Sequence, residues 1–410
     1  MNRASHPAPI KRDILIAAIP FVLGTGSLFL VDIILGRRLD GSDLSDWAYV
    51  RSAVLIATAI GVFGVDQALL RRLVEPSKLM RPAIVQAVIG GVGSTLLSCT
   101  IADARTSVFV GLIVTSLVFA TIFAGYLRSR VRIAASLSGL YGWRVVLLVA
   151  VAAFGDVLWP PLALWLASIA SAVFAFVVSR RVEAATEPGD RSAAHHREIL
   201  TIGSRFCLTN VIAVSSIYID QIILEVFGLT ETSTQAFLYT TAIYPLPILA
   251  AGFGANIYNP WLRSTNRLAT IRKKKFAQAG VLGAAAVLGL IASAVSFLLV
   301  RFVFGSFDSV DKSLMLGFVV VAALRVTYVI PSGIIGVFGR LNDITRLGIS
   351  GLVTVAISPA IFLSASAAGA SAIDSIWMAI LASTSVRLVA GLTIATSILA
   401  RDGELSLEVE

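Results

Sequence analysis

Charge is scarce in this sequence. Only 14% of its 410 residues are Asp, Glu, Lys or Arg, against about 25% in an ordinary soluble domain. Cysteine is scarcer still: Cys99 and Cys207 provide neither a disulfide framework nor a zinc-ligand spacing. The three histidines, His6, His195 and His196, fall in polar segments, so no histidine proton relay is embedded in apolar sequence. A Gly-Lys-Ser/Thr phosphate loop does not occur, which excludes an ATPase. The outer loops are short, so the large acidic or histidine-rich loop of a membrane glycosyltransferase or polymerase is missing. No catalytic residue, metal site or cofactor follows from the sequence.

Apolar residues are plentiful. They make up 57% of the chain, and the mean hydropathy is +0.88. So few charges cannot cover a soluble surface, and so much apolar area cannot be buried in a single core. A polytopic membrane protein remains. A spanning helix needs about 20 apolar residues, and twelve such segments are predicted: 13–36, 51–70, 82–101, 107–127, 135–154, 159–179, 201–228, 234–259, 276–302, 313–338, 344–366 and 375–400. The runs are continuous rather than alternating, so helices are expected and a β-barrel is not. Little chain is left for a soluble catalytic domain. The first run follows Lys11 and Arg12, is too long for the apolar core of a signal peptide, and lacks a clear cleavage site; it is predicted to be a retained helix.

Orientation follows from the basic residues. Assigning loops alternately places 23 of the 33 Lys and Arg on one side and five on the other, and the richer side is cytoplasmic. Both termini are then expected in the cytoplasm. The net charge of +9 is read as cytoplasmic loop charge, not as a nucleic-acid surface. A polar stretch at 180–200, containing Glu187-Pro188-Gly189-Asp190, has linker composition. It separates an N-terminal lobe, 1–179, from a C-terminal lobe, 201–410. Val31-Asp32-Ile33-Ile34-Leu35 and Ile219-Asp220-Gln221-Ile222-Ile223-Leu224 occupy similar places in the two halves, as in parallel internal repeats.

Three arginines sit near the centres of predicted spans: Arg144, Arg325 and Arg387. Arg51 lies at a span edge. An ionised group at mid-bilayer costs from about 2.5 to more than 10 kcal/mol, so such residues face protein or an aqueous cavity. A guanidinium stays charged and grips phosphate oxygens bidentately. These four residues are therefore substrate-binding candidates for an anionic cargo such as a pyrophosphate; the competing reading pairs each with an acid or a carbonyl. Asp32, Asp66 and Asp220 are candidates for ion coupling or charge pairing. Asp66 is also five residues before Arg71, a spacing for a local tether. Glu225 is expected to be solvated near the outer interface. Prolines 20, 245, 247, 331 and 359 should kink their helices. Trp47, Tyr49, Trp159, Trp165, Trp261 and Trp377 read as interfacial belts, and Arg272-Lys273-Lys274-Lys275 as a topology anchor.

Several of these stretches resemble the polysaccharide transporter branch, the Wzx-like flippases, of the multidrug/oligosaccharidyl-lipid/polysaccharide (MOP) exporter superfamily. They are Asp32-Ile33-Ile34-Leu35-Gly36-Arg37, the loop with Trp47-Ala48-Tyr49, Phe63-Gly64-Val65-Asp66-Gln67-Ala68-Leu69-Leu70-Arg71, and Tyr218-Ile219-Asp220-Gln221-Ile222-Ile223-Leu224. The chain is short for that family. The resemblance implies an all-α polytopic fold of twelve transmembrane helices in two six-helix bundles around a central cavity. It also implies a cargo, polyprenyl-pyrophosphate-linked oligosaccharide, carried across the lipid bilayer by alternating access. A polysaccharide polymerase or other assembly proteins would be partners. The alternatives are a cation-coupled multidrug or metabolite antiporter of the same superfamily, and a non-transporting membrane scaffold.

Overall fold

The computed structural model describes residues 10–70, 80–130, 132–154, 158–184, 196–253, 275–304 and 312–400. Among them every regular element is a helix: α1 Ile10–Arg38, α2 Gly41–Val62, α3 Val65–Leu70, α4 Met80–Ser98, α5 Ala104–Ser129, α6 Ile133–Phe154, α7 Pro160–Ala184, α8 His196–Val226, α9 Thr230–Ile243, α10 Pro245–Phe253, α11 Lys275–Phe304, α12 Lys312–Phe338, α13 Leu341–Ala367 and α14 Ala372–Ala400. Among the described residues, helical structure falls within each of the twelve expected spans. Nine of the described helices are long and apolar enough to cross a membrane. The polar linker at 185–195, Arg71, Trp261 and Arg272 to Lys274 lie outside the described residues.

Two predicted spans are broken. The second divides into α2 and α3 at Phe63 and Gly64, both left-handed with φ of 49° and 68°. Phe63 closes α2 by donating its N–H to the Ile60 carbonyl. The eighth divides at Tyr244, where Pro245 opens α10; proline lacks the amide that a continuing helix would need. Pro20, Pro331 and Pro359 are accommodated inside α1, α12 and α13.

Contacts divide the chain into two compact units, Met1–Thr241 and Ala242–Glu410. In the first, α5 is central and packs on α2, α3, α4, α6 and α7. Small residues permit the close crossings, as expected where lipid supplies no hydrophobic drive between helices. A Cβ on Gly91 would overlap Thr115 of α5, and one on Gly111 would overlap Thr95 of α4. The core of this unit combines Val31 and Leu35 of α1, Trp47 and Val50 of α2, Val114 and Val118 of α5, and Phe237 of α9. In the second unit α12 packs on α10, α11 and α14, and α14 packs on α13.

Burial is distributed as a lipid-facing protein requires. Serines 52, 107, 136, 168, 293 and 375 are fully buried, while Val88, Ile89, Val92 and Leu96 of α4 and Leu288, Ile291 and Leu298 of α11 are exposed. Large aliphatic groups pointing outward have no aqueous rationale at this density, and small polar groups pack the helix crossings.

Candidate functional site

The N-terminal unit gathers three of the sequence-selected charges. Asp32 lies on α1 and is buried. Trp47 and Arg51 stand one turn apart on α2, so both side chains reach the same face. The Trp47 indole N–H donates to Asp32 Oδ1 at 3.1 Å. Arg51 Nη1 donates to Asp32 Oδ2 and forms an ion pair with it. Both carboxylate oxygens are thereby engaged. The Arg51 guanidinium also lies over two rings, 4.9 Å from Phe237 of α9 and 5.4 Å from Tyr218 of α8.

Arg144 joins from α6. Its guanidinium is 4.7 Å from the Tyr141 ring and 5.1 Å from the Trp143 ring, and its charge interacts with those of Asp32 and Arg51. The Nε of Arg144 is buried and meets no hydrogen-bond acceptor among the described residues; the same holds for Nε of Arg51. The place of Arg144 is set by a close crossing of α1 and α6. Tyr141 packs edge-on against Phe21 at 5.3 Å, and a Cβ on Gly24 would come within 2.5 Å of the Tyr141 Cβ. Among the described residues the cluster thus holds one ion-paired carboxylate, two guanidiniums and two N–H donors left unused.

The C-terminal unit holds the other two arginines. Arg325 of α12 stacks over Tyr244 at 4.4 Å, and Arg387 of α14 over Tyr328 of α12 at 4.3 Å. Tyr328 occupies the space above Gly391, where a Cβ would lie 2.9 Å from its ring. Tyr244, in the break between α9 and α10, also leans on Phe318, 6.0 Å away. Every candidate arginine therefore rests on an aromatic face, a cation–π arrangement that strengthens when water is excluded.

The remaining acids are placed elsewhere. Asp66 is in α3, backed against α5, where a Cβ on Gly125 would lie 2.9 Å from the Asp66 Cα. Asp220 is buried in α8. Glu225 is half-buried and accepts from Ser45 Oγ at 3.3 Å, so the expectation of a simply solvated acid is corrected. Trp47 and Tyr49 correct a second expectation. They belong to a helix beginning at Gly41 and are 1% and 2% exposed, not interfacial. Tyr49 pairs its hydroxyl with Ser98 Oγ at 2.9 Å. Sequence reasoning missed Trp47, Tyr218 and Phe237 as site residues. The signal for Trp47 was present: Asp40 followed by Gly41, Ser42 and Asp43 is a helix start, and it places Trp47 a turn before Arg51.

No protein-family model matches the chain, and no curated protein matches it by sequence. Solved structures do match. An outward-facing multidrug resistance MATE family transporter of the MOP superfamily aligns at a TM-score of 0.63 and 15% identity, covering 96% of each chain. A eukaryotic MATE transporter aligns at 0.57 and 15%, covering 94% of this chain and 95% of its own. A MOP superfamily transporter from Pyrococcus furiosus, whose binding pocket of reverse polarity suggests a different function, aligns at 0.60 and 16%, covering 95% and 96%. The chain is a multi-pass helical membrane protein with the fold of MATE transporters.

Proposed function

We propose that the chain is a transporter without enzymatic activity that moves polyprenyl-pyrophosphate-linked oligosaccharide across a bacterial cytoplasmic membrane by alternating access. One observation carries the reading: a buried Arg51–Asp32 ion pair whose charges interact with the Arg144 guanidinium, with an Nε–H on each arginine that meets no acceptor among the described residues. Buried positive excess is costly, and a pyrophosphate would neutralise it. The cargo-binding candidates are Arg144 and Arg51 within the N-terminal unit and, considered separately, Arg325 and Arg387 within the C-terminal unit. Asp32 serves charge pairing, because both of its oxygens are engaged; Asp66 and Asp220 remain the candidates for ion coupling. Both termini are assigned to the cytoplasm by the arginine and lysine bias, and assembly proteins such as a polymerase are the partners in this reading.

A second reading, a cation-coupled multidrug antiporter, is favoured by the multidrug resistance named for two of the fold neighbours. The two differ in cargo charge. Proteoliposomes holding the purified chain should flip a fluorescent polyprenyl-pyrophosphate glycan, and R144Q should slow this at least tenfold. Efflux of cationic dyes with no flipping would establish the antiporter instead. If R144Q, R325Q and R387Q all flip the glycan at the wild-type rate, the arginine site is wrong.

A further inference from the structure

Arg128, Arg130 and Arg132 form one group and Arg180 and Arg181 another, about fifty residues on, yet the N-terminal unit brings the two groups together. Three contacts set the depths of α5, α6 and α7 against one another. Ser136 Oγ donates to the Ala124 carbonyl at 2.7 Å. Ser171 Oγ donates to the Gly139 carbonyl at 2.6 Å. The Phe123 and Phe176 rings stack edge-on at 5.6 Å. With a rise of about 1.5 Å per residue, Arg128 lies about 6 Å beyond Ala124, Arg132 about 6 Å beyond Ser136 in the same direction, and Arg180 and Arg181 about 6–7.5 Å beyond Phe176. All five therefore reach one level within about a helical turn. The short turn between α5 and α6 keeps them there: Arg130 N–H donates to the Tyr126 carbonyl at 3.2 Å and Arg132 N–H to the Leu127 carbonyl at 2.9 Å.

Arg130, Arg132, Arg180 and Arg181 are exposed and Arg128 is half-buried. Among the residues whose side chains are described, Asp66 of α3 is the acid at this end, against five arginines, so positive charge dominates there. A topology signal requires only that basic residues stay on one side of the membrane. It requires neither convergence of three helix ends nor arginine at every position. Arginine forks match the two oxygens of a phosphodiester, and basic clusters at the membrane surface attract anionic lipid.

We propose that this end of α5, α6 and α7 binds the phosphodiester headgroup of an anionic phospholipid in the adjacent leaflet. The site is separate from the cargo arginines: Arg144 lies about 18 Å further along α6 from Arg132. It does not depend on the cargo reading, only on this end facing the leaflet that the basic residues select.

The test is lipid retention. The full chain is reconstituted in nanodiscs of equal phosphatidylglycerol and phosphatidylcholine, released into detergent, and the lipids that stay bound are counted by native mass spectrometry. Wild type should retain phosphatidylglycerol over phosphatidylcholine by about tenfold. The set R128Q, R130Q, R132Q, R180Q and R181Q should lose that preference. The corresponding five-lysine set preserves charge and insertion, and should hold a preference several-fold weaker than wild type. An unchanged preference in the glutamine set overturns the proposal. So does a lysine set that binds as wild type does, which would reveal diffuse charge rather than a headgroup site. Displacement of the lipid by millimolar inorganic phosphate would reveal a soluble-anion site and also overturn it. Should the glutamine set fail to insert, the lysine set alone decides.

Discussion

Asp32 shows how a single carboxylate organises its surroundings. It accepts from Trp47 and Arg51 on the same helix, so α2 is pinned to α1 by two donors aimed at one acid. D32N would leave Arg51 without its buried counter-charge, and breaking a buried pair costs about 3–5 kcal/mol. A marked fall in melting temperature in detergent is expected for D32N, with recovery in the double variant D32N/R51Q. W47F removes one hydrogen bond to an ionised group, worth about 1.5–3 kcal/mol, and should destabilise less than D32N in the same assay. The charged members of this site could be read from the sequence because arginine and aspartate are rare in apolar runs and expensive there. The aromatic members could not. Tyr218, Phe237 and Trp47 become site residues only because α8, α9 and α2 bring their rings to Arg51, and no spacing along the chain encodes that meeting.

At the scale of elements, glycine and proline account for the departures from twelve simple spans. Gly64 is left-handed, and a Cβ there would lie 2.2 Å from the Gly203 carbonyl oxygen of α8. G64A therefore meets both a conformational penalty and a backbone obstacle. Loss of monodisperse protein after extraction is the expected result, whereas G280A, where a Cβ meets nothing within 4 Å, should behave as wild type. The sequence placed a span across residues 51–70 because hydropathy averages over a window; the break needs two residues with positive φ, which hydropathy does not sense. Helix starts are also tuned by charge. Asp103 caps α5 by accepting from the N–H groups of Arg105 and Thr106 at 2.8 and 3.0 Å, and the Thr106 side chain, together with these amide bonds, holds its carboxyl below the ordinary value of 3.8. A carboxylate with a depressed folded value contributes stability above the ordinary value and loses it as pH falls through the folded one. Amide exchange at the start of α5 should accordingly rise only below about pH 4 in wild type, and be raised at neutral pH in D103A.

For the molecule as a whole, charge polarity is the testable property. R144E reverses the excess at the N-terminal cluster, and should abolish movement of a pyrophosphate-bearing glycan in proteoliposomes while R144K retains part of it. Unchanged flipping by R144E would remove the N-terminal cluster from the cargo path. Residue order is enough to establish that this chain is a helical membrane protein. Its apolar runs are long, and a backbone in lipid can satisfy its own N–H and C=O groups only within such helices or a closed barrel. It also determined which ionisable groups are too costly to be incidental. Tertiary structure alone decided that Asp32 is shared between Trp47 and Arg51, that Arg144 joins them carrying an unused donor, and that arginines at 128–132 and 180–181 share one level. Hydropathy reports the solvent a segment prefers, whereas partnership between side chains depends on how helices cross, and in lipid the crossings are set by where small residues let backbones approach.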